Sequence, residues 1–256
     1  MNKRKIMLVA VALMMVAILG FGGTLAYLTD TDHQVNTFTT GNVAIDLYED
    51  FDNDKDGIEK LLPVTYFADG ERNPANVVEK EVYVKNTGSE LAWVRVHIAI
   101  PTILDDGDPT FNASNNVLHF NYDPDSVAAG KWDWSKAYND GKTEGDWNFY
   151  TTTIAGEAYN VYVVTYTTAL AKNEETVDAM NQVYLDAKVT NEDISRIKEE
   201  LGDQWKIYVA AEGCQADGFD DPYYALNTSF GNPTDADYTS AIDWNVVSGA
   251  VIVDKD

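Results

Sequence analysis

One cysteine and three histidines among 256 residues, with 18 basic residues against 42 acidic ones, set the first limits on this chain. Cys214 stands alone, so an internal disulfide is excluded. A chain of this size without one relies on its core, and a metal ion or neighbouring subunits are the candidate additional supports. His33, His97 and His119 are scattered, and none forms the H-E-x-x-H pair that sets two zinc ligands on one helical face. A G-x-S-x-G nucleophile elbow and a phosphate-cradling glycine loop are also missing. The shortage of basic residues leaves a formal net charge of -24. Such a field repels nucleic acid and anionic membrane surfaces, and favours solubility and cation binding.

Long apolar runs are scarce too, and the main one lies at the start. After MNKRK no charge occurs from Ile6 to Thr29, the layout of a secretory leader with a basic segment before an apolar one. The run is long enough to span a bilayer as a helix, so a retained anchor is the rival reading. Gly20, Gly22 and Gly23 argue against it, because they interrupt the run where a helix would have to continue. Thr24-Leu25-Ala26 supplies small residues at the positions a signal peptidase reads, which places the cut between Ala26 and Tyr27. The expected organisation is a leader at 1–26 and one mature domain at 27–256. No cysteine stands near the cut to take a lipid, and the tail "SGAVIVDKD" shows no sorting motif or second apolar span.

The mature chain reads mostly in period two. Val43, Ile45 and Leu47 share one face, as do Val78, Lys80, Val82 and Val84 before the turn at Asn86-Thr87-Gly88. In "LAWVRVHIAIP" Val94, Val96, Ile98 and Ile100 face one way, and Trp93, Arg95 and His97 face the other, towards water or a partner. Further strands are predicted from Ala158 and from Lys206, with a terminal hairpin-like pair around Ser248-Gly249. Helix is predicted in one insertion, 174–202. There "TNEDISRIKEELG" has Thr190 and Asp193 in capping-box spacing, an apolar stripe of Ile194, Ile197 and Leu201, and Gly202 as a stop. "NEETVDAMNQVYLDAK" is read as helix as well. The Gly, Asp, Asn and Trp-rich stretch 101–147 reads as long loops. The fold class that follows is mainly β, one antiparallel β-sandwich with long loops and a short helical insertion.

The sharpest chemical motif is "DFDNDKDGIEK". Asp52, Asp54 and Asp56 alternate and Gly57 follows, as in the first half of a calcium loop, where the Ile58 carbonyl supplies the next oxygen. The twelfth position is Pro63 rather than a bidentate Glu, so a solvated acidic turn is the competing reading. His97 reads as a structural histidine on a strand face, and Cys214 as a small packing residue. The acidic pairs Asp105-Asp106 and Asp220-Asp221 have glycosidase chemistry in principle, yet adjacent acids are expected in so acidic a chain. Trp132, Trp134, Tyr138 and Trp147 offer surfaces for sugar or a partner, or close one end of a sandwich.

Three separated segments, "GGTLAYLTDTDHQVNTFTTGNVAIDLYE", "EKEVYVKNTGSELAWVRVHIAIP" and "WKIYVAAEGCQADGFDDPYYAL", resemble the TasA/camelysin family of exported bacterial proteins. Gly213 and Cys214 depart from it, standing where that family usually shows Ala and Val. The resemblance implies a jelly-roll-like sandwich, a SipW-like signal peptidase cutting between Ala26 and Tyr27, and extracellular biofilm matrix fibres. It further implies that the freed segment 27–38, with Tyr27, Leu28, Val35 and Phe38, acts as a donor strand in a neighbouring copy or a related matrix subunit. Head-to-tail donation does not close and so propagates filaments. The alternative is that the segment completes its own subunit's sheet. A camelysin-type metallopeptidase and a monomeric adhesin acting through the tryptophan-rich loops are the other functional readings. Calcium is the one candidate cofactor.

Overall fold

The computed structural model describes residues 29–32, 43–51, 61–68, 70, 73, 76–107, 111–121, 131–133, 150–233, 235 and 237–249. Strands β1 (Thr29–Asp32), β2 (Ile45–Phe51), β3 (Val78–Asn86), β4 (Ala92–Pro101) and β5 (Leu118–Asn121) come first. They are followed by β6 (Trp132–Asp133), β7 (Tyr150–Ile154), β8 (Glu157–Tyr166), β9 (Met180–Leu185) and β10 (Tyr208–Gln215). Helices α1 (Asn191–Leu201), α2 (Pro222–Phe230) and α3 (Trp244–Gly249) complete the described elements. The strands form two antiparallel sheets. One runs β1-β10-β4-β8-β6 with β7 also paired to β8, and the other runs β2-β3-β9-β5.

Period-two patterning builds the interface between the sheets. Val94, Val96, Ile98 and Ile100 of β4 are fully buried against Val82, Val84, Met180 and Leu185 of the second sheet. Each such side chain contributes about 1.5–3 kcal/mol by leaving water. Lys80 shares the inward face of β3, and its ammonium is paired with the Glu49 carboxylate of β2. The β7–β8 hairpin closes on Ala155 and Gly156, at φ 53° and 97°, the left-handed pair that a two-residue turn needs to match strand twist.

Helix α1 begins where its capping box predicted. The Thr190 side chain accepts from the Asp193 N–H and the Asp193 carboxylate accepts from the Thr190 N–H. Ile197 is buried, and Ile194 and Leu201 pack beside it on the sandwich core.

Four expectations are corrected. The segment "NEETVDAMNQVYLDAK" holds β9 rather than helix, with Met180, Val183 and Leu185 buried and hydrogen-bonded neighbours on both sides. The terminal hairpin is replaced by α3, which buries Trp244 and Val247, three residues apart as on one helical face. Within 101–147 the described parts include β5 and β6, so that stretch is not loop throughout. The second face of β4 meets neither water nor a separate partner, because α2 and α3 form a third layer over it: Arg95 and His97 are 1% and 0% exposed.

Candidate functional site

Strand β10 connects the two features with functional content, a sheet edge and a buried charged cluster. Along its outer edge β1 pairs antiparallel, setting Thr29 opposite Cys214, Asp30 opposite Gly213, Thr31 opposite Glu212 and Asp32 opposite Ala211. The four described residues of β1 pair with four of the eight in β10. On its other side β10 pairs with β4 along its whole length, from Tyr208–Ala99 to Gln215–Ala92. The resemblance anticipated a strand within 27–38, and its described part, Thr29–Asp32, lies on β10 of its own chain. Ala26, Tyr27, Leu28, Val35 and Phe38 lie outside the described residues, as do Asp52, Asp54, Asp56 and Ile58 of the candidate calcium loop.

Gly213 of β10 sits against Ile45 of β2. A Cβ at this position would lie 3.0 Å from Ile45 Cγ2 and 3.1 Å from Cδ1, so the absent side chain lets Ile45 fill the sheet-to-sheet contact. The next residue, Cys214, is 1% exposed and packs with Ala225, Leu226 and Phe230 of α2. Burial pushes its thiol up to about 11, which suits a packing residue and opposes thiolate chemistry.

One residue back, Glu212 points into the helical layer. Its Oε2 accepts from Arg95 Nε at 2.6 Å and lies 3.0 Å from His97 Nε2. Arg95 Nη1 donates onward to Asn227 Oδ1 and to the Gly231 carbonyl, both at 3.1 Å, so the guanidinium ties β10 and β4 to the C-terminal end of α2. Its guanidinium carbon also stands 5.6 Å from the centre of the Phe230 ring. His97 Nδ1 is 3.1 Å from the Tyr150 hydroxyl. That network assigns the tautomer: Nε2–H donates to Glu212, and Nδ1 accepts from Tyr150.

Burial lowers the His97 pKa below its ordinary 6.5 although Glu212 pulls it upward, so the imidazole is neutral. Burial by itself would raise Glu212; His97 and Arg95 outweigh it and hold the carboxyl below its ordinary value. The result is one buried ion pair bridged by a neutral histidine. Arg95 Nη2 and Glu212 Oε1 are buried without a hydrogen-bond partner.

The other predicted residues are dispersed. His119, on β5 of the second sheet, pairs with Asp186 at 2.9 Å, so it shares no site with His97 on β4. The buried Asp105 carboxylate accepts from Tyr162 at 2.5 Å and from the Gly107 N–H at 2.9 Å, whereas Asp221 caps α2 by accepting from the Tyr224 N–H. Each carboxylate serves local structure. Trp132 is buried and donates to the Val177 carbonyl at 2.7 Å; Trp134, Tyr138 and Trp147 lie outside the described residues. Sequence reasoning missed Glu212 as the partner of Arg95 and His97, and missed α2, although Asp221-Pro222 is a legible helix start. Compared with family models and with curated proteins, the chain matches none.

Proposed function

We propose that this chain is a secreted structural protein of the TasA/camelysin type, a jelly-roll-like subunit of extracellular biofilm matrix fibres. It assembles when a SipW-like peptidase frees the segment beginning at Tyr27 and a neighbouring subunit, of the same or a related kind, receives that segment as a strand. The observation that carries this reading is the pairing of Thr29–Asp32 with the edge of β10. A main-chain ladder at a sheet edge is indifferent to which molecule supplies the strand, so the same register forms within one copy or between two. While the leader tethers the segment to the membrane, exchange between copies is restricted; after cleavage it is open. Exchange in one direction leaves each copy with one strand given and one received, which extends without closing.

Electron microscopy of two preparations tests it. Protein beginning at Tyr27 is expected to form filaments at high concentration, and protein lacking residues 27–38 to remain monomeric. Equal behaviour of the two would show that strand donation is wrong.

A further inference from the structure

The ladder between β10 and β4 runs on beyond Cys214, the residue opposite Thr29. Thr29, the first described residue of β1, stands opposite Cys214; Gln215 pairs with Ala92, and the Ala216 N–H donates to the Leu91 carbonyl at 2.8 Å. Gln215 and Ala216 therefore lie beyond the partner of Thr29, and two residues separate Thr29 from the proposed cut after Ala26. An occupant that carries the antiparallel register two positions further meets Gln215 and then Ala216.

The surface at that end is apolar and aromatic. Leu91 and Tyr224 are 42% and 67% exposed, the Phe219 and Tyr224 rings stand 5.8 Å apart, and Trp93 and Phe219 pack on the small core under α2. The turn that follows Ala216 carries the exposed Asp217 and Asp220 on either side of Gly218 and Phe219. No Lys or Arg occurs between Lys206 and Lys255, so this stretch has no basic residue of its own.

We propose that this end of β10 is a docking site for the amino terminus created by cleavage. The Tyr27 ring rests on Leu91, Phe219 and Tyr224, and its α-ammonium sits beside Asp217 and Asp220. The site is continuous with the β1–β10 ladder and opposite in charge to its occupant. An aromatic ring with an adjacent cation fits a surface of rings edged by carboxylates. Before cleavage, the nitrogen of Tyr27 is a neutral peptide amide followed upstream by apolar leader, and the acidic edge has nothing to attract. Cleavage thus supplies the charge as well as the chain end, and docking fastens the strand in the register that β1 already shows.

This inference rests on the proposed cut before Tyr27, and its test uses dilute monomeric protein, where filament formation does not enter. Nuclear magnetic resonance of mature protein beginning at Tyr27 is expected to show contacts from the Tyr27 ring to Phe219 and Tyr224. The α-ammonium is expected to titrate above its ordinary value of about 8, and to return to it in Asp217→Asn/Asp220→Asn. Acetylating the terminus or introducing Tyr224→Ala should lower Tm by about 1–4 °C, with the two effects less than additive. An α-amino group that titrates identically with and without the two aspartates, or a Tyr27 ring without contacts in the folded protein, overturns the docking site. Docked termini in a protein that never forms filaments would instead overturn strand donation between copies.

Discussion

Glu212 of β10 and Arg95 of β4 face each other directly in register, and their side chains meet at 2.6 Å with both residues at most 1% exposed. An ion pair taken out of water stabilises only if each member keeps the other; removing one leaves an uncompensated charge and costs about 3–5 kcal/mol. Glu212→Gln or Arg95→Leu alone should therefore lower Tm by about 6–20 °C. The double substitution Arg95→Leu/Glu212→Leu should recover much of that loss, because neither charge is then stranded. Thermal denaturation of the three variants measures the coupling directly.

Acid should weaken the fold through the same cluster, and the sign follows from two shifts in one direction. His97 is held below 6.5, so as pH falls past 6.5 the unfolded chain takes up a proton that the folded chain refuses, and stability drops. Glu212 is held below its ordinary 4.5, and its contribution, complete above that value, is lost on further acidification. Asp105 runs the other way, since burial raises its pKa and acidification relieves the cost of its buried charge. Arg95 and Tyr150 are hydrogen-bonded to the pair, with Tyr238 and Cys214 also near Glu212, and burial keeps the Tyr150 hydroxyl protonated. Between pH 7 and 5 the fall should reach at most about 1.4 kcal/mol per pH unit for the single proton of His97. His97→Gln should flatten that interval in urea denaturation while leaving the loss below pH 4.5.

Gly213 offers a steric test of the contact between the sheets. Gly213→Ala brings a methyl to 3.0 Å from Ile45 Cγ2, and Gly213→Val cannot be accommodated without moving Ile45. Overpacking of this kind costs about 1–3 kcal/mol, more for Val than for Ala. Ile45→Val, neutral to mildly destabilising alone, should relieve either substitution, and a double-mutant cycle in denaturant gives the coupling.

Much of the sandwich was legible because its strands obey period two under cover of a core. Val78, Lys80, Val82 and Val84 share a buried face as the alternation predicts, and β8 and β10 stand where their Val- and Tyr-rich runs place them. β9 was misread because Val177, Met180 and Tyr184 fall at helical spacing, and hydrogen bonding from β3 and β5 decided the matter instead. At the other end, "WNVVSGAVIV" has hairpin composition, yet Trp244 and Val247 bury together on Ala99 and Tyr159 only as helix. The charged cluster was the least legible part. Alternation correctly put Arg95 and His97 on the face opposite Val94 and Val96. Nothing local to "WVRVH" discloses that Glu212, a hundred residues and more away, or the helices beyond it, cover that face.

Calcium separates the two readings of the acidic loop. In sequence the motif follows Phe51, the last described residue of β2, which stands opposite Lys80 in register. A site built on Asp52, Asp54, Asp56 and the Ile58 carbonyl makes Tm rise with calcium, by about 2.7 kcal/mol of added stability at a hundredfold excess over Kd. EDTA and Asp54→Ala should each abolish that rise. A Tm indifferent to all three conditions identifies a solvated turn.

Strand donation makes one further demand, that the ladder on β10 form when the strand is no longer part of the chain. Protein lacking residues 27–38 should bind a synthetic peptide of those residues, and Tm should climb with peptide concentration in the manner of a ligand. Substituting proline at both Asp30 and Thr31 removes two consecutive N–H donors. One of any two neighbours in a paired strand points towards its partner, so the doubly substituted peptide should fail to bind whatever its side chains contribute. If the proline peptide raises Tm as well as the native one, recognition does not run through the β10 edge, and the ladder from Thr29 to Asp32 is incidental to assembly.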